Sequence, residues 1–288
     1  MPIISALTLY PIKSCAGISL QTATLTEAGL SHQTLRDREW MLIDSNNQFL
    51  TQREYPRMAL LQPELADEKL MLHAPDMPAL EIGLIPATPG TLVQVQVWDD
   101  LVPAYDCGAT AASWLTRFLG VNCRLVRSHP SSQRCANPKW TGDIKVPALF
   151  SDGYPLLLIS SASLEDLNQR LLAQGRAAVP MDRFRPNIVI DGVEAFEEDY
   201  AEVLIIHKTN AAQQSIQLQP VKPCPRCPIP AVDQASAEVG PNPVDILQSY
   251  RSNPLLEGAV TFGMNTIVRQ GAGQTIAVGD ALELQLAF

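Results

Sequence analysis

Apolar and polar positions alternate along much of the first hundred residues, which is the pattern of β-strands with one buried face. Valines alternate with glutamines over residues 93–97, so the valines share one face of a predicted strand. Residues 40–44 and 48–52 flank an asparagine-containing turn and predict a hairpin. The run 58–73 predicts two more strands, interrupted at residues 66–68.

Helical spacing of apolar residues interrupts this pattern at a few places. One helix is predicted over residues 111–119, where it ends at a glycine. A second helix is predicted from about residue 161 to 174, with Ser161 or Ser163 as its N-cap. A short third helix is predicted over residues 244–250.

The second half of the chain is again rich in predicted strands. They span residues 155–159, 187–190, 203–207, 216–219, 261–268 and 281–286. Residues 128–138 have loop composition throughout, and they predict a boundary between two domains, residues 1–127 and 128–288. The expected fold is therefore mostly β with a few helices (α+β), in two units that are barrels or sandwiches rather than one parallel sheet.

Composition and charge narrow the function classes. Of the 288 residues, 46% are apolar and 18% are charged, so a large core is expected. A net charge of −9 without a long basic run argues against nucleic acid or a membrane surface as a partner. Six cysteines without a secretory signal or a membrane span predict free thiols and a cytoplasmic location. The sequence contains no dinucleotide, Walker, zinc-protease or serine-hydrolase motif.

Two thiols, Cys224 and Cys227, lie three positions apart among three prolines and two cations. The prolines predict a stiff loop that presents a side chain, since proline cannot donate to a sheet. Lys222 and Arg226 favour thiolate, which attacks electrophiles or binds soft metals. A pair of inert cysteines in a turn remains the alternative, whereas a zinc ribbon is disfavoured because neither the other cysteines nor the histidines supply the remaining ligands.

Cations and hydroxyls at several strand ends are candidates for an anion site. Lys13 and Ser14 follow an apolar strand and could bind a phosphate, although a solvated lysine at a strand end would look the same. Arg36 and Arg38 flank Asp37, which is expected to hold one of them and leave the other free for a ligand. The alternative is an ion-pair cluster on the surface.

A second group of candidates comes from the other half of the chain. Arg185 and Asn187 enter an apolar strand and could supply charge and directed hydrogen bonds. Ser160 and Ser161 lie at another strand end and could join the same anion site.

These short motifs also occur in a characteristic order. The chain carries in turn Tyr10-Pro-Ile-Lys-Ser-Cys15, Leu35-Arg-Asp-Arg38, Asp106-Cys107-Gly108, Phe184-Arg-Pro-Asn187, Cys224-Pro-Arg-Cys227 with Val232-Asp233, Phe262-Gly263 and Val278-Gly279-Asp280. In this order they resemble the MOSC family over nearly the whole chain, and within it the branch of the amidoxime-reducing components and their bacterial relatives.

The resemblance implies a MOSC N-terminal β-barrel domain, a MOSC domain and a molybdenum cofactor (molybdopterin) in the cleft between them. It implies that Cys227 ligates molybdenum, that Asp233 takes part in catalysis, and that Cys224 lies beside the metal site. The residues that it assigns to the pterin and its phosphate are Lys13, Ser14, Arg38, Arg185 and Asn187, with Ser160 and Ser161 nearby. Pyridoxal phosphate binding is a further property that it implies at the level of the family.

The sequence departs from the family pattern at Pro230-Ala231, where relatives carry hydroxyl residues that would face the pterin or the metal pocket. It also has no cysteines for a [2Fe–2S] cluster after the last strands. Electrons are therefore expected from a separate donor protein of the ferredoxin or flavoprotein type.

The resemblance implies a reductase of small N-oxygenated compounds, such as hydroxylamines and amidoximes, in which the cofactor performs the redox step. The departure at Pro230-Ala231 keeps open a protein that carries the cofactor or transfers sulfur without turnover. A metal-free dithiol redox protein is a third reading, although the thiols lack a thioredoxin-like βαβ context.

Overall fold

The computed structural model describes residues 1–66, 69–84, 90–207 and 215–287. These residues form many β-strands and few helices. The strands are β1 Ile3–Leu9, β2 Ile18–Leu20, β3 Thr22–Thr26, β4 Gly29–His32, β5 Leu35–Arg36, β6 Trp40–Ile43, β7 Gln62–Ala66, β8 Lys69–His73, β9 Leu80–Gly83, β10 Leu92–Val97, β11 Asp100–Asp106, β12 Arg124–Ser128, β13 Leu156–Ser160, β14 Ile188–Asp191, β15 Ala201–Ile206, β16 Ile216–Pro225, β17 Ser252–Asn253, β18 Ala259–Gln270, β19 Thr275–Ala277 and β20 Leu282–Leu286.

The helices are α1 Ala109–Leu119, α2 Pro138–Thr141, α3 Ser161–Ala173 and α4 Val244–Leu247, with 3-10 turns at Pro56–Leu60, Met181–Arg183, Glu197–Tyr200, Ile229–Ala231 and Pro254–Leu256. In the described ranges, no helix combines the length and the apolarity that crossing a bilayer requires. The mostly-β, α+β class predicted from the sequence is confirmed.

The strands form one large sheet and three small ones. The large sheet has the order β2-β1-β14-β13-β18-β16-β15-β20, with β17 paired to β18, and only β13 and β14 run parallel. The small sheets have the orders β10-β11-β12-β6, β19-β3-β4-β5 and β7-β8-β9. Among the described strands no sheet closes on itself, so the predicted barrels are open sheets.

Both ends of the chain cross between the two predicted domains. Strand β1 pairs with β14 in the large sheet, while β19 pairs with β3 in a sheet of the first half. The main hydrophobic core likewise contains buried residues from Ile4 to Leu282. Side chains from the two halves therefore meet along shared sheets, and the boundary between residues 127 and 128 stays a prediction.

Most predicted elements are present with shifted ends. Helix α1 begins two residues early and ends as predicted, because Gly120 adopts a left-handed backbone with φ 73°. The first strand in the run 58–73 begins only at Gln62, after a 3-10 turn. The interruption predicted at residues 66–68 lies partly outside the described residues. In the predicted hairpin, the second arm is not a regular strand but still pairs with the first arm, through the isolated bridge Ile43 to Phe49 and a hydrogen bond from the Leu50 N–H to the Leu42 carbonyl oxygen at 2.9 Å.

Strand β16 corrects the prediction of a loop around the thiols. It runs on to Pro225 and contains Cys224, although the sequence predicts that it ends at residue 219. Prolines are tolerated because the pairing with β18 shifts register between Pro220 and Lys222 and again between Pro223 and Pro225. At such bulges the proline nitrogens, which carry no N–H, fall at positions where the hydrogen-bonded ladder does not need a donor. The first thiol is thus fixed by a sheet rather than by a loop.

Candidate functional site

A cavity of about 120 Å³ brings together seven of the ten residues predicted to form the site. They are Lys13, Ser14 and Arg38 from the first half and Arg185, Asn187, Cys224 and Cys227 from the second. Strand β1 carries the chain to Lys13, β14 begins just after Asn187, and β16 delivers Cys224. Because β1 and β14 are paired, residues that are far apart in sequence lie close together at the ends of neighbouring strands in the large sheet.

Lys13 is held firmly in this cavity. Its Nζ donates a hydrogen bond to the carbonyl oxygen of Phe150 at 2.9 Å and forms an ion pair with Asp152. Burial lowers the pKa of the Lys13 ammonium, an effect that Asp152 opposes. Burial raises the pKa of Asp152, but the charge and hydrogen bond of Lys13 outweigh it and hold that pKa below its ordinary value. Sequence reasoning missed Asp152, which lies in a turn without a family signal.

Arg38 belongs to a buried hydrogen-bond network around Asp37. It pairs with the Asp37 carboxylate and donates to Oδ1 of Asn187 at 2.9 Å. Asp37 Oδ1 also accepts from the Tyr10 backbone N–H at 2.8 Å and from Asn187 Nδ2 at 2.9 Å. Burial raises the pKa of Asp37, although Arg38 and these donors oppose the shift. The Asn187 amide therefore fixes Arg38 rather than reaching outward.

The expectation of one free arginine beside Asp37 is wrong. Arg36 pairs with Glu39 at 3.0 Å, so both arginines have acidic partners. The arginine held by Asp37 is the one that lines the cavity. A buried carboxylate positions Arg38, because an unpaired guanidinium would be costly to bury.

Arg185 has unused hydrogen-bonding capacity. Its guanidinium lies over the Tyr10 ring, 4.3 Å from the ring centroid, and Arg38 lies 4.4 Å from the same centroid. Its Nη1 is 3.5 Å from Oε1 of Gln234, and its Nη2 is buried without a partner. Burial lowers the pKa of Arg185, and the nearby Arg38 charge adds to that effect. A buried donor of this kind is available to an acceptor on a ligand, and an anion would form the strongest hydrogen bond with it.

The backbone is strained at three of the cavity residues. Ser14, Arg38 and Arg185 have φ values of 63°, 46° and 58°, in the left-handed region that side chains rarely adopt. Such conformations cost on the order of 1–3 kcal/mol each and cluster at binding sites. Sequence reasoning could not have found this signal, because none of the three is a glycine.

The two thiols occupy different positions. Cys227 lines both the small cavity and an adjoining open cleft of about 850 Å³, whereas Cys224 lines the cavity and not the cleft. Cys224 Sγ accepts a hydrogen bond from Arg226 Nη1 at 3.4 Å, and burial raises the pKa of this thiol despite the Arg226 charge. Cys227 is therefore within reach both of a molecule in the cleft and of a group bound in the cavity.

Ser160 and Ser161 are not brought to the cavity. Ser160 is the N-cap of α3, where its Oγ accepts from the Ser163 N–H at 3.1 Å. Ser161, in the first turn, donates to Asp191 Oδ1 at 2.6 Å. The predicted caps Ser161 and Ser163 are therefore wrong, and the prediction that Ser160 and Ser161 join the anion site has no support in the geometry.

Glu198 completes the cap of α3 and yields a prediction about pH. Its Oε1 accepts from the Ser160 N–H at 3.0 Å and from the Ser163 hydroxyl at 2.7 Å, while Oε2 is buried without a partner. Burial outweighs these donors and raises the pKa of Glu198 above its ordinary value of 4.5. The stability that the protonated carboxyl contributes is therefore fully present below pH 4.5 and is lost as the pH rises through the folded pKa.

We expect Glu198→Gln, which cannot ionise, to gain stability relative to the wild type as the pH rises from 4 to 8. Each unit of upward pKa shift corresponds to about 1.4 kcal/mol. Urea unfolding across this range measures the difference, and Glu202→Gln, at an exposed position of β15, controls for the loss of one charge. A difference that moves in the opposite direction would show that Glu198 is ionised in the folded protein.

Asp233 also lies apart from the cavity lining. It pairs with Arg183 at 2.7 Å and accepts from the N–H groups of Ala235 and Ser236 at 3.0 and 2.9 Å. The hydrogen bond from the Ser236 N–H, with those from Ala235 and the Ser236 hydroxyl, lowers the pKa of Asp233. This geometry organises a turn, and the catalytic role predicted for Asp233 has no support in it.

The departure at Pro230-Ala231 does not face the cavity. Both side chains are buried, and the Pro230 carbonyl oxygen accepts from Arg183 Nη1 at 3.1 Å. Ile229 lines the cavity in their vicinity. In this chain neither Pro230 nor Ala231 lines the cavity, and the place of the relatives' hydroxyls stays a prediction.

The chemistry of the cavity lining suits a phosphate group inside the cavity and a soft metal at its mouth. Arg185 offers an unpaired buried donor, and Lys13 and Arg38 add two cations at the same cavity. Cys227 offers a cysteine sulfur, the ligand type that soft metals prefer. Hard cations and a soft donor thus lie at the same cavity, as the parts of a molybdenum cofactor require.

Comparison with known proteins finds two family domains in this chain and relatives that match most of its length. Residues 1–122 match the MOSC N-terminal beta barrel domain, and residues 146–283 match the MOSC domain. Mitochondrial amidoxime-reducing component 1 of Mus musculus is 33% identical over 290 residues, which cover 98% of this chain and 82% of that protein. Mitochondrial amidoxime reducing component 2 of Homo sapiens is 33% identical over 86% of this chain and 72% of its own length.

A third relative has a different name. Molybdenum cofactor sulfurase of Homo sapiens is 31% identical over 277 residues, which cover 91% of this chain but only 29% of the sulfurase. Of the three relatives, the sulfurase is the one whose name refers to molybdenum cofactor. The resemblance inferred from the motifs is confirmed, and the chain belongs to the MOSC family.

Proposed function

We propose that this protein is a molybdenum-cofactor-dependent oxidoreductase that removes oxygen from N-oxygenated compounds such as hydroxylamines and amidoximes. The observation that carries the proposal is the meeting of three cations, Lys13, Arg38 and Arg185, with the thiol of Cys227 at one cavity. The names of the relatives with 33% identity support the reductase reading. A cytoplasmic location and pyridoxal phosphate binding stay predictions.

Each residue has a role that follows from its chemistry. Cys227 would ligate molybdenum, while Lys13, Arg38 and Arg185 would bind the phosphate and the pterin with help from the Ser14 hydroxyl. When bound, the cofactor supplies the two-electron chemistry that cleaves the nitrogen–oxygen bond. Because Cys227 also lines the open cleft, the cleft is where the substrate would approach.

Turnover needs two electrons and two protons for each substrate, with water as the second product. We propose that a separate donor protein of the ferredoxin or flavoprotein type supplies the electrons. The cleft and its rim are open to solvent, which suits access by both substrate and donor. A docking surface near Cys227 would keep the transfer distance short.

A cofactor carrier or sulfur-transfer protein is the second candidate. It is favoured by the 31% identity to molybdenum cofactor sulfurase over 91% of this chain. A carrier would use the same cations and the same thiol, so the cavity alone is compatible with both functions. Only turnover separates them.

The two candidates are tested by metal analysis and an assay on one preparation. Protein produced in a host that makes the cofactor should contain near-stoichiometric molybdenum and reduce benzamidoxime to benzamidine with reduced methyl viologen as the electron source. Protein from a host unable to make the cofactor serves as the control. Molybdenum without turnover across several amidoximes and hydroxylamines would favour the carrier, and protein without molybdenum would contradict both.

A further inference from the structure

The open cleft beside Cys227 has a charge opposite to that of the whole protein. The chain carries a net charge of −9, yet the cleft lining has five cations against three aspartates, an excess of two positive charges. The positive potential inside such a concave cleft attracts anions even when the protein as a whole repels them. The cleft shares Lys13, Arg226 and Asp152 with the small cavity, so the cations to be explained separately from the phosphate anchor are the three that line the cleft alone, Arg53, Arg134 and Lys222.

Three of the five cleft cations have no carboxylate partner among the described residues, and one of them, Arg226, instead donates to the Phe184 carbonyl oxygen at 3.0 Å and to Cys224 Sγ at 3.4 Å. Lys13 and Arg134 pair with acidic side chains of the cleft, but Arg53 and Lys222 do not. Arg53 donates only a long hydrogen bond, 3.4 Å, to Thr51 Oγ1, and it lies 5.0 Å from the centroid of the Trp98 ring. Arg53 and Lys222 are therefore available to an acidic group on a ligand.

Lys222 sits in a recess between two aromatic rings. Its Nζ is 5.7 Å from the centroid of Trp140 and 5.8 Å from that of Tyr154. Tyr154 lines the same cleft, and Lys222 is half-buried. A small molecule can reach a charge in such a recess, whereas the broad surface of a partner protein fits it poorly. The position favours a small-molecule ligand over a protein.

Trp98 provides a rigid aromatic surface on the cleft wall. The residue is 41% exposed, although Phe49 packs against its ring edge-on with centroids 5.0 Å apart. Its Nε1 donates to Asp152 Oδ1 at 3.2 Å, which ties the ring to the ion pair of Lys13. An exposed ring that is held in place can stack on a planar substrate with little loss of entropy.

We propose that Arg53 and Lys222 bind a carboxylate on the substrate and that Trp98 stacks on its aromatic body. The preferred substrates would be aromatic N-oxygenated compounds that carry an acidic group remote from the nitrogen. This inference rests on the proposed reductase function, and it names the substrate class of the same site. Arg53 and Lys222 act on specificity, and neither takes part in the redox step.

The test compares the neutral substrate benzamidoxime with its 3-carboxy and 4-carboxy derivatives, using reduced viologen as the electron source. For the better of the two isomers, kcat/KM should exceed that for benzamidoxime by about tenfold at low salt. The preference should weaken as ionic strength rises. In Arg53→Gln and in Lys222→Gln the ratio of the two kcat/KM values should fall several-fold, whereas Arg117→Gln, at an exposed position on α1, should keep it.

Binding gives a readout that needs no turnover. Calorimetry should show 4-amidinobenzoate, the reaction product, binding more tightly than benzamidine, with the difference lost in Arg53→Gln/Lys222→Gln. Equal kcat/KM values for neutral and acidic substrates, with turnover of both, would overturn the inference and leave the proposed function intact. Absence of turnover with every substrate would instead contradict the proposed function.

Two further outcomes would assign the cations elsewhere. If the variants lose molybdenum, Arg53 and Lys222 bind the cofactor, and the inference is wrong. If they keep the acid preference with viologen but slow the reaction with a protein donor, these residues dock the donor, and the inference is again wrong. Retained molybdenum together with a lost acid preference is the result that supports it.

Discussion

Replacing Cys227 with alanine should reduce the molybdenum content of the purified protein from near-stoichiometric to background and abolish turnover. Cys227 is the thiol that lines both the cavity and the cleft, so its loss removes the soft ligand at the mouth of the cavity. Cys224→Ala should lower metal retention by a smaller factor, about 10- to 100-fold in affinity, because Cys224 lies behind the mouth in contact with Arg226.

The matched control for this prediction is Cys135→Ala. Cys135 is an exposed thiol that lines the same cleft, so its removal tests whether any thiol at the cleft affects the metal. Metal content and activity should follow Cys227 and not Cys135. Equal molybdenum in wild type and Cys227→Ala would exclude the thiol as the metal ligand, and circular dichroism would show that the variant remains folded.

The site could be predicted from the sequence mainly where charge and chemistry are local. Lys13, Arg38, Arg185 and Cys227 are recognisable because each lies in a short motif with a residue type that an anion or a soft metal requires. Their order along the chain then resembled one family. The structure adds that these motifs meet at one cavity, which no local pattern could establish, since it depends on the pairing of β1 with β14.

Residues that act through tertiary contacts were missed or misplaced. Asp152 becomes the partner of Lys13 only when distant segments of the chain meet, and the turn that carries it has no distinctive composition. Ser160 looks like a hydroxyl at a strand end, but it is buried as a helix cap because Glu198 approaches from a later turn. Burial decided the role of Ser160, and burial of a polar residue cannot be inferred from its type.

The extended strand β16 shows a different limit. Three prolines in six residues are a strong signal for a loop, and a loop is what the sequence predicts around the thiols. Register shifts opposite β18 accommodate them within a long strand. Pairing with β18 outweighs the local preference of proline for loops, and β-propensity rules do not include the effect of a partner strand.

Replacing Asp37 with alanine should lower the free energy of unfolding by about 3–5 kcal/mol, because it leaves buried charge without compensation. Asp37 holds Arg38, the Tyr10 N–H and the Asn187 amide, and Arg185 shares the Tyr10 ring with Arg38. Without the carboxylate, the two guanidinium charges near the Tyr10 ring would lose the counter-charge of Asp37. Asp37→Asn retains the size of the side chain and should cost less, about 1–3 kcal/mol. Urea denaturation at neutral pH measures both.

The control is Asp245→Asn, which breaks an ion pair with Arg176 at a position where the aspartate is 57% exposed and should cost less than about 1 kcal/mol. Inorganic phosphate separates a structural role from a role in the anion site. If Lys13, Arg38 and Arg185 form one anion site, phosphate should stabilise the wild type and stabilise Asp37→Asn by more, because removal of the carboxylate leaves the cavity more positive. No stabilisation of either protein by phosphate would mean that these cations interact only with their acidic partners in the protein, and the phosphate anchor of the proposed cofactor site would be lost.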